Sequence, residues 1–340
     1  MAARGILGAL LAVMTAFVGP RARADDLQHA CGYAEDRSFG ACTLRYAGAR
    51  AADDYARRGD ELVRVVVTKP ERIEPALIAV EIVLPKSGDA TVTVRDPYLR
   101  VPSQTYRVSR ALFAALRQRL LNDDLLLKAV EIGRKEGARK GCAVERICLH
   151  PAVGFVDVVL SGEASSVYLD GCGDFWQIVQ DIVDFAVRAD STCSDNFSDR
   201  WGPQVLQACL NVRGDRRLGA QGLAAAEILG DALFGSDVDR KAVEEKTDSG
   251  AHLLVGNALV ATGSSGILTW WSQIAARGSI WLRPIAATGR GDRSIVTGTI
   301  TQTLDDSEAR FAASFVQTWR KDSEGKIHLV EWRIGEFQAQ

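Results

Sequence analysis

The amino-acid sequence predicts an α+β protein with two domains that follow a secretory leader. The chain has 340 residues, about twice the length of an ordinary domain. All seven cysteines lie before residue 210, so the two halves differ in composition. Apolar residues alternate in some segments, as in strands, and recur with helical spacing in others. The predicted boundaries are residues 1–24 for the leader, 25–190 for a disulfide-stapled α+β domain, 191–211 for a linker and 212–340 for the second domain.

The first 24 residues have the pattern of a signal peptide. Arg4 precedes an apolar run, and Ala22, Arg23 and Ala24 form an A-x-A cleavage motif. The apolar run is shorter than the roughly 20 residues that a spanning helix needs. We therefore expect export to a periplasm or to the extracellular space, a mature chain that is not inserted in a membrane, and cysteines paired in disulfides.

Composition argues against several classes of partner. The formal charge is −2, and such a mildly acidic balance does not suit binding to nucleic acid or to a membrane surface through basic residues. The sequence contains no C-x2-C unit, and its four histidines are scattered along the chain. We therefore expect no metal site and no cofactor.

The first domain begins with a small sheet and continues with helices. Ser109 can cap a helix whose apolar stripe is Leu112, Leu116 and Leu120, and helical spacing continues over residues 124–136. Turn-forming residues separate three β-like runs before this helix, at residues 62–68, 77–84 and 90–95.

A hairpin and a strongly amphipathic helix complete the first domain. Residues 154–160 and 164–170 alternate like strands, and Ser161 and Gly162 between them predict a tight turn. Residues 174–188 place their apolar side chains on one helical face. Packed against the sheet, this helix makes an α+β domain.

Seven cysteines in an exported protein predict disulfides and one cysteine that is unpaired or bound to a partner chain. Cys148 and Cys172 lie equally far from the centre of the predicted hairpin, so they meet at its open end and form the first predicted pair. Cys31 and Cys42 are the second predicted pair, only because they are close together in the sequence. The rest of the connectivity stays open.

The second domain places helices first and antiparallel strands last. Two helices are predicted at residues 218–234 and 237–247, and a short helix at residues 265–276. A glycine turn at residues 322–325 joins the last two strands. The predicted strands cover residues 252–261, 279–287, 294–304, 309–320 and 326–337.

The final hairpin carries a family resemblance. Residues 315–334 place aromatic residues before and after a polar glycine turn, and residues 263–271 read Gly-Ser-Ser-Gly-Ile-Leu-Thr-Trp-Trp. With the order of elements, these segments resemble the nuclear transport factor 2-like superfamily, particularly its SnoaL-like branch, over about residues 212–338. The resemblance implies a cone, made of a curved antiparallel sheet wrapped on helices, with a pocket at its open end. It also implies a homodimer through the sheet. The first domain resembles no family that we recognise.

Pairing of the last two strands about their turn predicts a ligand site. It places Trp319 opposite His328 and Phe315 opposite Trp332, and Gln317 lies between the two aromatic residues of its strand. Because strand side chains alternate, these five predicted ligand-binding residues share one side of the sheet. They would form an apolar cavity in which Gln317 and His328 orient the ligand. The alternative is that the aromatic residues are ordinary core and that His328 lies at a wet rim.

His328 and His252 are the candidate catalytic residues. A histidine can act as a general base near neutral pH, here with Asp248 or Glu331 as the acid partner. Alternation places Glu331 on the side of its strand opposite His328. The family resemblance also implies a tyrosine-based oxyanion site of the steroid isomerase kind. All six tyrosines precede the second domain, so that site has no counterpart here.

These observations favour an exported, non-catalytic binding or accessory protein. Its partner would be a small apolar molecule or another envelope protein. The first alternative is a SnoaL-like lyase or isomerase that uses a His–acid pair on a small apolar substrate. The second is a structural module whose filled cone serves for dimerisation.

Overall fold

The computed structural model describes residues 30–31, 39–68, 77–97, 102–122, 153–170, 176–197, 200–234, 238–305 and 309–340. The predicted leader, the helical stretch at 124–136 and the predicted Cys148–Cys172 pair lie outside these residues. The chain forms two compact units: Met1–Ala189 with Gly202–Leu210, and Asp190–Trp201 with Asn211–Gln340. Among the helices that the structure describes, none is long and apolar enough to cross a membrane.

The described strands form two sheets, one in each unit. The first sheet has the order β4-β3-β2-β1-β5-β6, and the second has the order β7-β10-β11-β12-β13-β8-β9 with β14 paired to β12. The strands are β1 Glu61–Thr68, β2 Leu77–Leu84, β3 Ala90–Arg95, β4 Gln104–Val108, β5 Val153–Leu160, β6 Glu163–Asp170, β7 Val212–Gly214, β8 Thr247–Val255, β9 Ala258–Thr262, β10 Gly278–Arg290, β11 Arg293–Leu304, β12 Arg310–Lys321, β13 Ile327–Ile334 and β14 Gln338–Ala339.

Helices pack on both sheets. A 3₁₀ turn covers Asp195–Phe197. The α-helices are α1 Phe39–Tyr46, α2 Ala52–Arg58, α3 Arg110–Asn122, α4 Trp176–Ala189, α5 Ser191–Ser194, α6 Gly202–Leu210, α7 Arg216–Leu233, α8 Arg240–Lys246 and α9 Gly263–Ala275.

The first unit has an antiparallel sheet whose central strand, β1, is buried along almost its whole length. The three predicted strands before Ser109 are confirmed, while β4 was not predicted. The β5–β6 hairpin turns at Ser161 and Gly162 with φ values of 54° and 83°, as the predicted turn requires. α3 buries Phe113, Leu116 and Leu120. Leu112, predicted in its apolar stripe, is 56% exposed because the buried face includes Phe113 instead.

The two faces of this sheet are covered by different elements. Val179 and Trp176 of α4 lie against Gly154 on one face. On the other face, Leu44 of α1 packs with Val66 and Phe155. Cys31 belongs to this second cluster, and a disulfide joins it to Cys42, with 5.5 Å between the Cα atoms. This is the second pair that the sequence predicted, and it fixes the residues around Cys31 to the sheet.

A charged cluster lies buried on the α1 side of the first sheet. Arg64 of β1 is paired in register with Glu81 of β2 and Asp157 of β5. The Arg64 Nε donates to Asp157 Oδ2 at 2.7 Å, and Nη1 donates to the carbonyl oxygen of Arg50. Glu81 also accepts from Arg95 at 3.3 Å. Burial, followed by the nearby negative charge of Glu81, raises the pKa of Tyr55, which lies beside this cluster.

The second unit packs α7 directly on the long strands of its sheet. Small residues allow the close approach: a Cβ on Gly222 would lie 2.4 Å from Cβ of Ser294 on β11. Asp215 caps α7 by accepting from the Leu218 N–H at 3.0 Å. The core between helix and sheet contains Leu223, Leu229 and Val296.

Two segments differ from the predicted elements of the second half. The strand predicted at residues 252–261 is a hairpin of β8 and β9, because Gly256 turns the chain with a φ of 58°. The predicted linker contains α5, the 3₁₀ turn and α6. Its α6 belongs to the first unit and its first residues to the second unit.

Candidate ligand-binding site

The second unit contains a cavity of about 460 Å³, open to solvent on one side, near the end of its sheet where β11 finishes and β12 begins. Its walls come from the β8–β9 hairpin, from α9, from β11 and β12 and from the segment after β13. Seven of the nine lining residues are apolar. The lining residues are Val255, Val260, Trp270, Ile274, Arg277, Gln302, Leu304, Phe311 and Phe337.

α9 supplies one wall because neighbouring residues on it point in different directions. Trp271 is 1% exposed, and its Nε1 donates to the carbonyl oxygen of Leu233 at 2.8 Å. This bond fixes the helix on the core. Trp270, the next residue on the helix, lines the cavity, and so does Ile274 one turn further on.

The two polar lining residues are held by the end of α9. Gln302 is 9% exposed, and its Nε2 donates to the carbonyl oxygen of Ile274 at 3.1 Å. The Arg277 backbone N–H donates to the same oxygen at 3.0 Å, and the Arg277 carbonyl accepts from Asp305 N at 3.3 Å. The lining therefore combines apolar residues with one glutamine and one arginine.

The aromatic residues predicted to bind a ligand form the closed core of the unit instead. Phe315, Trp319 and Trp332 are at most 1% exposed. The Trp332 ring lies 5.8 Å from the ring of Trp271 and 6.3 Å, edge-on, from that of Phe315. These three residues do not line the cavity described above.

Gln317 is buried in the same core. Its side chain is fully buried, and its Oε1 accepts from Trp319 Nε1 at 3.2 Å. Register places Gln317 opposite Trp332. Within the described part of the chain, neither Gln317 Nε2 nor Trp332 Nε1 has a hydrogen-bond partner. Gln317 therefore hydrogen-bonds within this core, and it does not line the cavity.

His328 does not lie where the sequence-based pairing placed it. Arg320 is opposite His328, and Trp319 is opposite Leu329, because β13 contains an additional residue, Val330, that bulges out of the pairing. The bulge lets Leu329 and Trp332 both face the core and turns His328 to the outer side of the sheet. The predicted pairing of Trp319 with His328 is therefore wrong, as is that of Phe315, which lies opposite Ile334.

The outer side of the sheet carries the charged residues that the sequence suggested for acid–base chemistry. Glu331 lies opposite His252 of β8, and His252 is exposed. The bulge places Glu331 on the same side as His328, which contradicts the alternation predicted from sequence. A hydrogen bond from Arg333 to Glu331, at 2.7 Å, lowers the pKa of the Glu331 carboxyl.

The other two acidic residues on this side, Asp248 and Asp322, also have polar partners. Asp248 accepts from Arg320 at 2.8 Å. His328 Nε2 lies 3.1 Å from Asp322 Oδ2. Desolvation acts to raise the pKa of Asp322, but hydrogen bonds from the Lys326 backbone and from His328 outweigh it, so that pKa is lowered. The histidines and their acidic neighbours therefore lie on the partly exposed surface of the sheet, outside the cavity.

A buried carboxylate occurs elsewhere in the second unit. Glu227 on α7 is paired with Arg200, with 2.9 Å between Oε2 and Nη2. Burial raises the pKa of Glu227 to about 7, although the positive charge of Arg200 acts in the opposite direction. No sequence pattern marks Glu227, because a single acidic residue on an amphipathic helix is common.

The cavity residues were also missed, although part of the pattern was present. Phe311 lies on the same face of β12 as Phe315, four residues earlier, and Gln302 lies on the inward face of β11. The sequence pattern therefore indicated the correct face of β12 and the wrong end of the strand. Arg277 carried no recognisable signal.

No family model matches the chain, and no curated protein matches it. Several solved structures are similar. A SnoaL-like protein from Jannaschia sp. CCS1 is 16% identical, with 36% of this chain and 88% of that chain covered and a TM-score of 0.29.

Two further structures show the same level of similarity. A nuclear transport factor 2-like superfamily protein from Salmonella enterica is 11% identical, with 35% and 88% of the two chains covered and a TM-score of 0.29. A protein with a ketosteroid isomerase-like fold from Catenulispora acidiphila, in complex with trimethylamine, is 15% identical, with 32% and 82% covered and a TM-score of 0.27. Each of these three matches covers about a third of this chain, and no activity is carried over from them.

Proposed function

We propose that this protein is an exported binding protein whose second unit takes up a small, mainly apolar molecule in the cavity beside α9. The observation that carries the proposal is a cavity of about 460 Å³ with seven apolar residues and two polar ones. This volume lies within the range of small-molecule sites, in which apolar walls supply affinity and a few polar groups supply orientation. Export is proposed from the leader pattern of residues 1–24.

Binding is favoured over acid–base catalysis by where the titratable residues lie. His252 and His328 are on the outer side of the sheet, together with their acidic neighbours. The lining described above contains no carboxylate and no imidazole. A general base must come within hydrogen-bond reach of the proton that it removes. The lyase or isomerase alternative, with His328 or His252 as base, therefore has no support from the position of these residues.

The proposal can be tested with a neutral dye whose fluorescence rises in apolar surroundings, such as Nile red. Val260 lines the cavity from β9, so Val260→Trp should fill part of it and weaken dye binding by about tenfold or more, equivalent to roughly 1.4 kcal/mol. Leu259 precedes it on the same strand, is 58% exposed and is not among the lining residues. Leu259→Trp is thus a matched control that should leave the affinity within about twofold.

The outcomes separate the alternatives. Saturable binding that only Val260→Trp weakens supports the cavity as the site. If the wild-type protein shows no saturable binding, or if the two tryptophan variants lose affinity equally, the proposal is wrong. His328→Ala should leave dye binding unchanged, because His328 lies outside the cavity.

A further inference from the structure

We propose, building on the binding function above, that the ligand carries an anionic group such as a carboxylate and that Arg277 binds it at the mouth of the cavity. Arg277 is the one charged residue in the described lining. The proposal names the chemical class of the ligand: an apolar body with one acidic head group.

The position of Arg277 is fixed by its backbone. The residue follows the last turn of α9, and its N–H donates to the carbonyl oxygen of Ile274 at 3.0 Å. Its own carbonyl oxygen accepts from Asp305 N at 3.3 Å, which connects it to the end of β11. The guanidinium therefore extends from a site that is held on two sides, while the side chain itself is exposed. A fixed base reduces the entropy lost when the side chain closes on a ligand.

In the part of the chain that the structure describes, no ion pair within 4 Å involves Arg277, in contrast to Arg320, whose Nη2 lies 2.8 Å from Asp248 Oδ2. Asp305 contacts Arg277 through its backbone N–H. A guanidinium offers paired N–H donors that match the two oxygens of a carboxylate, and such charged hydrogen bonds are stronger than neutral ones.

Gln302 does not compete for this role. Its Nε2 donates to the carbonyl oxygen of Ile274, so the amide is held against the end of α9. It can add a hydrogen bond to a ligand but supplies no charge. Recognition of an ionic head group therefore depends on Arg277.

A simpler explanation is that the methylene groups of Arg277 cover apolar surface while the guanidinium stays in water. The two explanations predict different dependence on ligand charge. An arginine that only covers surface should affect charged and neutral ligands alike. An arginine that binds an anion should affect the anion alone.

Two probes with the same ring system separate these explanations: 2-naphthoate, which is ionised at neutral pH, and 2-naphthalenemethanol, which is neutral. Binding is measured by quenching of tryptophan fluorescence, for the wild type and for Arg277→Gln. We expect Arg277→Gln to weaken naphthoate binding by about tenfold and to leave naphthalenemethanol binding within about twofold. Arg277→Lys keeps the charge and should retain part of the naphthoate affinity.

Arg290 provides the matched control. It is exposed, lies just before the β10–β11 turn at the far end of β10 from Arg277, and is not a lining residue. Arg290→Gln changes the net charge by the same amount and should leave both affinities within about twofold. A weaker naphthoate affinity that depends on Arg277 and not on Arg290 supports the proposal.

Failure of this inference is distinguishable from failure of the proposed function. If naphthalenemethanol binds and Val260→Trp blocks it, while Arg277→Gln changes both probes equally or neither, the cavity binds ligands and the anion site is wrong. If neither probe binds the wild-type protein although Nile red does, the anion site is wrong and the proposed function stands; if Nile red does not bind either, both are wrong.

Discussion

The Arg64 guanidinium lies between the carboxylates of Asp157 and Glu81, which occupy the directly opposite positions on the two neighbouring strands. All three side chains are at most 6% exposed. Charges buried this deeply are stable only as a set, because each would otherwise lose its hydration without compensation. The cluster therefore forms only in this register of the central strands of the first unit.

Replacement of Arg64 by leucine should be strongly destabilising. It leaves Asp157 and Glu81 buried without their shared partner, and the expected loss in the free energy of unfolding is about 3–5 kcal/mol. Arg117→Leu is the control, because its pair with Glu61 is partly exposed and should contribute less than about 1 kcal/mol. Urea unfolding of the full chain, followed by circular dichroism, measures both. Equal losses would contradict the role of the buried cluster.

The Cys31–Cys42 disulfide should contribute to the stability of the first unit. It closes a short loop, with 11 residues of sequence separation, and cross-links of this size stabilise by about 3 kcal/mol, mainly through the unfolded chain. The double variant Cys31→Ala, Cys42→Ala should lose about that amount in urea unfolding. If the double variant is as stable as the oxidised wild type, the disulfide does not contribute to the free energy of unfolding.

Close packing of α7 on β11 predicts opposite effects for two glycines of the same helix. Gly222→Ala places its Cβ 2.4 Å from Cβ of Ser294, so we expect a loss of about 1–3 kcal/mol. Gly230→Ala meets its nearest atom, the carbonyl oxygen of Leu282, at 3.4 Å, which is ordinary contact. It should be neutral or stabilise by about 0.5–1 kcal/mol, because alanine is the better helix former.

A second substitution tests whether the clash with Ser294 is the cause. Ser294→Gly removes the opposing Cβ, so the double variant with Gly222→Ala should be more stable than the sum of the two single losses by about 1 kcal/mol or more. If the stability losses of the two single variants simply add in the double variant, the clash with Ser294 is not the cause of the destabilisation.

The alternation of apolar residues predicted strands well where pairing is regular. β1, β2 and β3 coincide with the predicted segments, and so does the turn at Ser161 and Gly162. Such segments are specified locally, because the period of two selects a buried face and the turn residues select the ends.

The candidate site depended on features that are not local. One bulged residue, Val330, reversed the orientation of His328, and nothing in the sequence of β13 marks it. The cavity also depends on where the β8–β9 hairpin and α9 meet the sheet, which places Phe311 in its wall and Phe315 in the core. Sequence periodicity selects a face of a strand, whereas tertiary packing determines which part of that face stays open.

Glu227 should make the stability of the second unit depend on pH. Its pKa is raised by burial from an ordinary value of 4.5 to about 7, so the folded chain holds this proton more tightly than the unfolded chain. Between about pH 4.5 and 7 the folded state therefore binds more protons, and the free energy of unfolding falls as the pH rises. The stabilisation is complete below about pH 4.5 and is lost above about pH 7, with a total on the order of 3 kcal/mol.

Glu227→Gln should remove this dependence, because a neutral amide fills the same place at every pH. Relative to the wild type, the variant should gain stability as the pH rises from about 5 to 8. Glu245→Gln on the exposed surface of α8 is the control and should leave the pH profile unchanged. Urea unfolding at several pH values gives the three profiles. If the stability–pH profiles of the wild type and of Glu227→Gln remain parallel, the Arg200 guanidinium keeps Glu227 ionised throughout this pH range. The ion pair then outweighs the cost of burial.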